Sequence, residues 1–108
     1  MKLQQYRSII QALQDGFEKR FPHIDAQEID FNLKKVLTPR EMVAHVKSMF
    51  PVIREWLAQD TLPEGDSLRK MHMWIAFTQG YAHACGVFSM NELRRMNADP
   101  DKPFVEKQ

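Results

Sequence analysis

Three sites in the sequence have the pattern of a helix N-terminus, and they restrict the fold more than any other feature. At Asp25, Thr38 and Ser89, a residue with a short polar side chain stands three positions before a glutamate. In such a capping box the first side chain accepts a hydrogen bond from the backbone N–H of the glutamate. The glutamate carboxylate accepts one in return from the backbone N–H of the capping residue. Large apolar residues flank each box as a hydrophobic staple: Ile24 with Ile29, Leu37 with Met42, and Phe88 with Leu93. We therefore expect a helix to begin at each of the three boxes.

The spacing of apolar residues predicts the bodies of two long helices. In segment 3–21 they recur every three or four positions, which indicates an amphipathic helix that ends at Pro22. These residues are Leu3, Tyr6, Ile10, Leu13 and Phe17. The helix that starts at Pro39 has a similar face, formed by Met42, Val46, Met49, Ile53 and Trp56 or Leu57. Because Pro51 lies within it, we expect this helix to kink or split there.

Segment 67–87 differs from the others because apolar residues surround most of its helical circumference. One row contains Leu68, Met71, Ile75, Ala82 and Cys85, and a second contains Trp74, Phe77, Tyr81, Ala84 and Phe88. A helix of this kind is usually buried among its neighbours. We expect a central helix that the rest of the chain surrounds. The alternative is that one apolar row forms half of a homodimer interface.

These patterns together predict an all-α domain over residues 1–97, with about five helices in a compact orthogonal or bundle arrangement around helix 67–87. Residues 98–108 should form an extended tail, which Phe104 and Val105 could attach to the body. The 108 residues are the size of one domain, and 44% of them are hydrophobic, which is enough for a core.

Charge and cysteine content exclude several classes of protein. Fifteen basic and fourteen acidic residues leave a formal charge of +1, too little to indicate a nucleic-acid or membrane partner by itself. The single cysteine, Cys85, allows neither an internal disulfide nor a cysteine-based zinc site. The N-terminus lacks the apolar run of a signal peptide, and no run is long enough to span a bilayer. We expect a cytoplasmic protein without a membrane partner.

Helical spacing removes most catalytic and metal-binding arrangements. His72 and His83 would lie about 16 Å apart along a straight helix, too far to bind one metal ion. His83 and Cys85 point to nearly opposite sides, so they cannot form a thiolate–imidazole pair. We predict no catalytic residue, no cofactor and no metal, and we do not expect an enzyme. His72, Gln79 and His83 form a polar strip that could line a pocket; the simpler interpretation is a solvated face or hydrogen-bonded core histidines.

Residues 79–97 resemble a helix-turn-helix unit. The small Ala82 would let two helices approach, Gly86 would end the first in a left-handed conformation, and Ser89 would cap the second. The resemblance implies that the second helix reads DNA, with Asn91, Arg94 and Arg95 as the outward contacts. It departs from the tightest form because Phe88 adds one residue to the turn. A tight corner between two helices has the same glycine, staple and cap.

For function, the sequence favours a non-catalytic interaction or regulatory module that binds another protein or a second copy of itself. This hypothesis depends on the excess of large apolar side chains on helix 67–87 and on the near-neutral charge. The alternative is a helix-turn-helix DNA-binding regulator that uses the 79–97 corner.

Overall fold

Four helices follow one another in the computed structural model, which describes residues 1–29, 36–99 and 101. They are α1 (Leu3–Arg20), α2 (Pro39–Trp56), α3 (Asp66–Ala84) and α4 (Met90–Asn97). This confirms the all-α class, although the described ranges contain four helices where about five were predicted. Helices α1, α2 and α3 contact one another pairwise, and α4 packs on α3. Phe104 and Val105, predicted to attach the tail, lie outside the described residues.

The core lies between α1, α2 and one side of α3. Helix α1 buries Tyr6, Ile9, Ile10, Leu13 and Phe17. Helix α2 buries Val43, Ala44, Val46, Lys47, Met49, Phe50 and Ile53. The rings of Phe17 and Phe50 meet across the two helices at 5.7 Å between centroids. The amphipathic faces predicted for both helices are therefore confirmed.

The capping box at Thr38 forms as the sequence predicts. The Glu41 N–H donates to Thr38 Oγ1 at 3.2 Å, and the Thr38 N–H donates to Glu41 Oε1 at 3.1 Å. Pro39 occupies the first turn, where its missing N–H costs nothing. Helix α2 continues past Pro51 as one element rather than splitting into two, and the Pro51 ring lies on the exposed side.

The helix predicted to begin at Asp25 is wrong for the described part of that segment, because residues 25–29 are not helical. Their backbone donors bond to α2 instead. The Gln27 N–H donates to the Ala44 carbonyl oxygen at 3.0 Å, and the Ile29 N–H donates to His45 Nδ1 at 3.2 Å. The N–H groups of Gln27 and Ile29 therefore have acceptors on α2 and do not need the partners that a capped helix would give them. Residues 30–35 of the predicted helix lie outside the described part of the chain.

A buried lysine on α2 holds the end of α1 and the chain that follows it. The Lys47 ammonium donates to the carbonyl oxygens of Phe21 and Ile24 at 2.6 and 2.7 Å. It also lies 3.2 Å from Glu18 Oε1. Carbonyls near a helix C-terminus carry partial negative charge, so a cation is well placed there. Lys47 therefore fixes the connection 21–24 against α2.

Helix α3 is not surrounded by the other described helices, which corrects the prediction of a central helix. Only one side of it is buried, through Met71, Ile75, Thr78 and Ala82. Met73 and Phe77, on another side, remain exposed. Helices α1, α2 and α4 contact only part of the circumference of α3. The described segment after Asp25 forms no further helix that could cover the rest.

Candidate interaction surfaces on helices α3 and α4

The exposed side of α3 carries two large apolar side chains one helical turn apart. Met73 is 65% exposed and Phe77 is 45% exposed. They lie beside the half-buried Trp74, and His45 and Met49 of α2 form the opposite wall of a cavity of about 240 Å³. We call this cavity, lined by these five residues, the α2–α3 cleft. The cleft is a mostly apolar depression, and the exposed parts of Met73 and Phe77 project along its α3 side.

Aromatic contacts position the α3 wall of the cleft. The indole rings of Trp56 and Trp74 meet edge to face with 5.0 Å between centroids. The Lys70 ammonium lies 5.8 and 5.7 Å from these two ring centroids, within the range of a cation–π interaction. On the α2 wall, His45 Nδ1 accepts the Ile29 N–H, so a neutral imidazole carries its proton on Nε2. The cleft is thus lined mostly by apolar side chains, and one of them, Trp74, carries the Lys70 ammonium over its ring.

The corner between α3 and α4 has the glycine and the cap that the sequence predicts. Gly86 has a φ of 79°, the left-handed conformation. The Val87 N–H donates to the Ala82 carbonyl at 2.8 Å and the Gly86 N–H to the His83 carbonyl at 3.2 Å, which is the Schellman pattern of helix termination. The Ser89–Glu92 capping box then starts α4, with bonds of 3.0 and 3.1 Å.

Phe88, the additional residue of this corner, packs against α1 at Gly16. A Cβ atom built on Gly16 would lie 2.8 Å from two atoms of the Phe88 ring and from Val87 Cγ1. Since such distances are sterically forbidden, the contact requires glycine. The sequence does not indicate this contact, because nothing near Gly16 in the chain distinguishes it from any other helical glycine. The corner is therefore fixed to α1 through a residue that the tightest helix-turn-helix lacks.

The three candidate DNA-contacting residues occupy different surroundings on α4. Asn91 is half-buried, whereas Arg94 and Arg95 are exposed. Arg94 lines a groove of about 640 Å³ between α3 and α4, together with Met90. Arg95 lines a groove of about 680 Å³ on the α1 side, which also contains the carboxylates Glu92 and Asp99. The structure does not bring the two arginines into one groove.

The polar strip of α3 divides between two locations. Gln79 and His83 line the α3–α4 groove, but His72 does not. The Gln79 side chain exchanges two hydrogen bonds with Asn97, at 2.7 and 3.1 Å. The His83 imidazole bonds the Phe88 carbonyl through Nδ1 at 3.3 Å, and the His72 ring bonds the Tyr6 hydroxyl through Nε2. Each member has its own structural partner, and one pocket containing all three does not form.

Three groups with altered pKa values lie near these surfaces. Burial raises the pKa of the Cys85 thiol, which keeps it protonated and poorly nucleophilic. Burial also raises the pKa of Tyr81, whose hydroxyl donates to the Pro39 carbonyl at 3.3 Å. The backbone N–H and then the hydroxyl of Ser89 lower the pKa of Glu92 by hydrogen bonding to its carboxylate. These shifts follow from packing and capping.

Within residues 1–29, 36–99 and 101, no three His, Cys, Asp or Glu side chains lie close enough together to hold a metal ion. In the same ranges no helix has the length and apolar character needed to cross a membrane. No protein-family model, curated protein or solved structure matches the chain.

Proposed function

We propose that this chain is a non-catalytic interaction module that binds another protein chain through the exposed side of α3. The observation that supports this is the exposure of Met73 and Phe77 beside the α2–α3 cleft. Water contact at two large apolar side chains on one helix face is unfavourable, and covering them by a partner would remove it. Methionine also adapts its shape to different partners, which suits a binding surface.

Site-specific cross-linking in the native cells tests this function. Phe77→p-benzoylphenylalanine places a photoreactive group on the proposed surface. Gln4→p-benzoylphenylalanine, the control, places it on an exposed position of α1, which contributes no residue to the cleft. We expect discrete protein adducts from position 77 only, and their loss when Met73→Ser is added to the same chain. An adduct of twice the chain mass would identify a second copy as the partner. Equal adduct patterns from both positions, or none from position 77, would contradict the proposed surface.

The second candidate function is DNA binding through α4, and the exposure of Arg94 and Arg95 beside a capped corner favours it. Glu92 and Asp99 count against it, because carboxylates in the groove of Arg95 repel phosphates. A gel-shift titration of duplex DNA with the wild-type chain and with Arg94→Ala/Arg95→Ala decides the matter. DNA binding requires that the wild type retards duplex DNA in a salt-dependent manner and that the variant does not. Equal migration of DNA with both proteins would exclude it.

A further inference from the structure

The size of the α2–α3 cleft indicates what kind of group it can accept. Its volume of about 240 Å³ is below the roughly 300–1,000 Å³ of typical small-molecule sites. A cleft of this size suits a large apolar side chain, and Phe77, which lines the cleft and is 45% exposed, offers a second apolar contact. Two such anchors, three or four residues apart, are what an amphipathic helix presents when it binds a groove.

After Asp66, all the Asp, Glu, Lys and Arg residues of α3 are basic. From Ser67 to Asn91 the chain contains no aspartate or glutamate. The Lys70 ammonium lies over the ring of Trp74, which lines the cleft, and the neighbouring Arg69 is strongly exposed. Asp66, at the start of α3, lies 3.7 Å from Arg69 but is almost fully exposed and therefore screens it weakly. On the α2 side, the Glu41 carboxylate accepts the Thr38 N–H at the helix cap.

This charge distribution disfavours a second copy as the occupant. In a two-fold dimer the same patch faces itself, so each Arg69 and Lys70 would meet the α3 surface of the other copy. Between Ser67 and Asn91 that surface offers no carboxylate, and the one at its start, Asp66, already lies 3.7 Å from the Arg69 of its own chain. A partner that carries acidic residues beside its apolar anchors would pair with both cations.

From these observations we propose that the α2–α3 cleft binds an acidic amphipathic helix of another protein. One large apolar side chain of that helix enters the cleft, a second packs on Phe77, and its carboxylates face Arg69 and Lys70. The inference rests on the proposed function, since it specifies the partner of the same surface.

A peptide selection on the full chain tests this partner chemistry. The probe is a phage-displayed library of helical peptides with randomised positions on one face, selected on the wild type and counter-selected on Met73→Ser/Phe77→Ser. We expect the enriched peptides to carry two large apolar residues three or four positions apart and an excess of Asp and Glu. Absence of enrichment over the double variant, or enrichment without an acidic excess, would overturn the proposal.

Titration of one enriched peptide, synthesised with a fluorescent label, separates the apolar and charge contributions. Arg69→Glu/Lys70→Glu should weaken binding roughly fivefold or more at low salt, since two ion pairs are replaced by two repulsive pairs. Gln4→Ser, at the exposed control position on α1, should leave the affinity within about twofold. Unchanged urea midpoints of the variants would show that the fold is intact. Equal affinity for the wild type and the charge-reversed variant would contradict the pairing of carboxylates with Arg69 and Lys70.

The two proposals fail in different ways. If position 77 cross-links to proteins but the selection yields no acidic peptides, the interaction function stands and the acidic partner is wrong. If the wild-type chain sediments as a dimer that Met73→Ser/Phe77→Ser dissociates, the occupant is a second copy and the acidic partner is again wrong. If position 77 gives no specific adduct, the proposed function itself fails.

Discussion

At the scale of single residues, two glycines inside helices, Gly16 and Gly80, should respond in opposite ways to alanine. Alanine generally stabilises a helix interior relative to glycine by about 0.5–1 kcal/mol. Gly80→Ala should show this gain, since a Cβ there meets no atom within 4 Å. Gly16→Ala should instead lower the free energy of unfolding by about 1–2 kcal/mol, because overpacking against Phe88 outweighs the gain in helix propensity.

Urea denaturation of the wild type and both variants measures whether the free energy of unfolding rises in Gly80→Ala and falls in Gly16→Ala. A Gly16→Ala variant as stable as Gly80→Ala would show that the corner of α3 and α4 does not pack on α1 in solution. The sequence could not predict the response of Gly16, because its contact partner Phe88 stands some 70 positions further along the chain. It does predict the left-handed Gly86, because a glycine directly after a helical pattern is a local signal.

At the scale of elements, the connection 21–29 depends on α2 more than on its own sequence. Lys47→Met keeps the aliphatic stem but leaves the Phe21 and Ile24 carbonyls without the donor they have in the wild type. We expect the free energy of unfolding to fall by about 2–4 kcal/mol. Glu18→Gln should cost less than about 1 kcal/mol, because the Glu18 side chain is 58% exposed.

Urea denaturation measures both effects, and hydrogen exchange at the Gln27 amide locates them. That amide should lose protection in Lys47→Met, since its acceptor is the Ala44 carbonyl on α2. If Lys47→Met and Glu18→Gln lower the free energy of unfolding equally, the stabilisation comes from the Lys47–Glu18 ion pair and not from the carbonyl contacts of Lys47.

The three capping boxes show how far local sequence predicts these elements. The boxes at Thr38 and Ser89 start helices because their hydrogen bonds form within four residues. The box at Asp25 does not, because donors in the same stretch bond to Ala44 and His45 of α2. Whether these donors bond within their own segment or to α2 depends on tertiary packing, which the neighbouring sequence does not indicate. The same holds for Lys47, whose acceptors are 23 and 26 residues away.

At the scale of the whole molecule, the position of α3 decides which of its apolar residues form the core and which form a surface. The sequence predicts an apolar helix but cannot predict which side stays uncovered, because that depends on how many neighbouring helices pack around it. Met71 and Met73 stand two positions apart on this helix, with Met71 fully buried and Met73 65% exposed. They form a matched pair for testing the arrangement of the molecule.

Met71→Ala should lower the free energy of unfolding by about 2–5 kcal/mol, because it leaves a cavity between α3 and the other helices. Met73→Ala should change it by less than about 0.5 kcal/mol, since the side chain contributes little to the folded monomer. Urea denaturation at a concentration where the chain is monomeric makes the comparison. If both substitutions cost the same, α3 is surrounded on both sides, as the apolar circumference of segment 67–87 predicts, and no free surface exists there for a partner. If only Met71→Ala lowers the free energy of unfolding, then a loss of partner binding in Met73→Ala is caused by the altered binding surface and not by a destabilised fold.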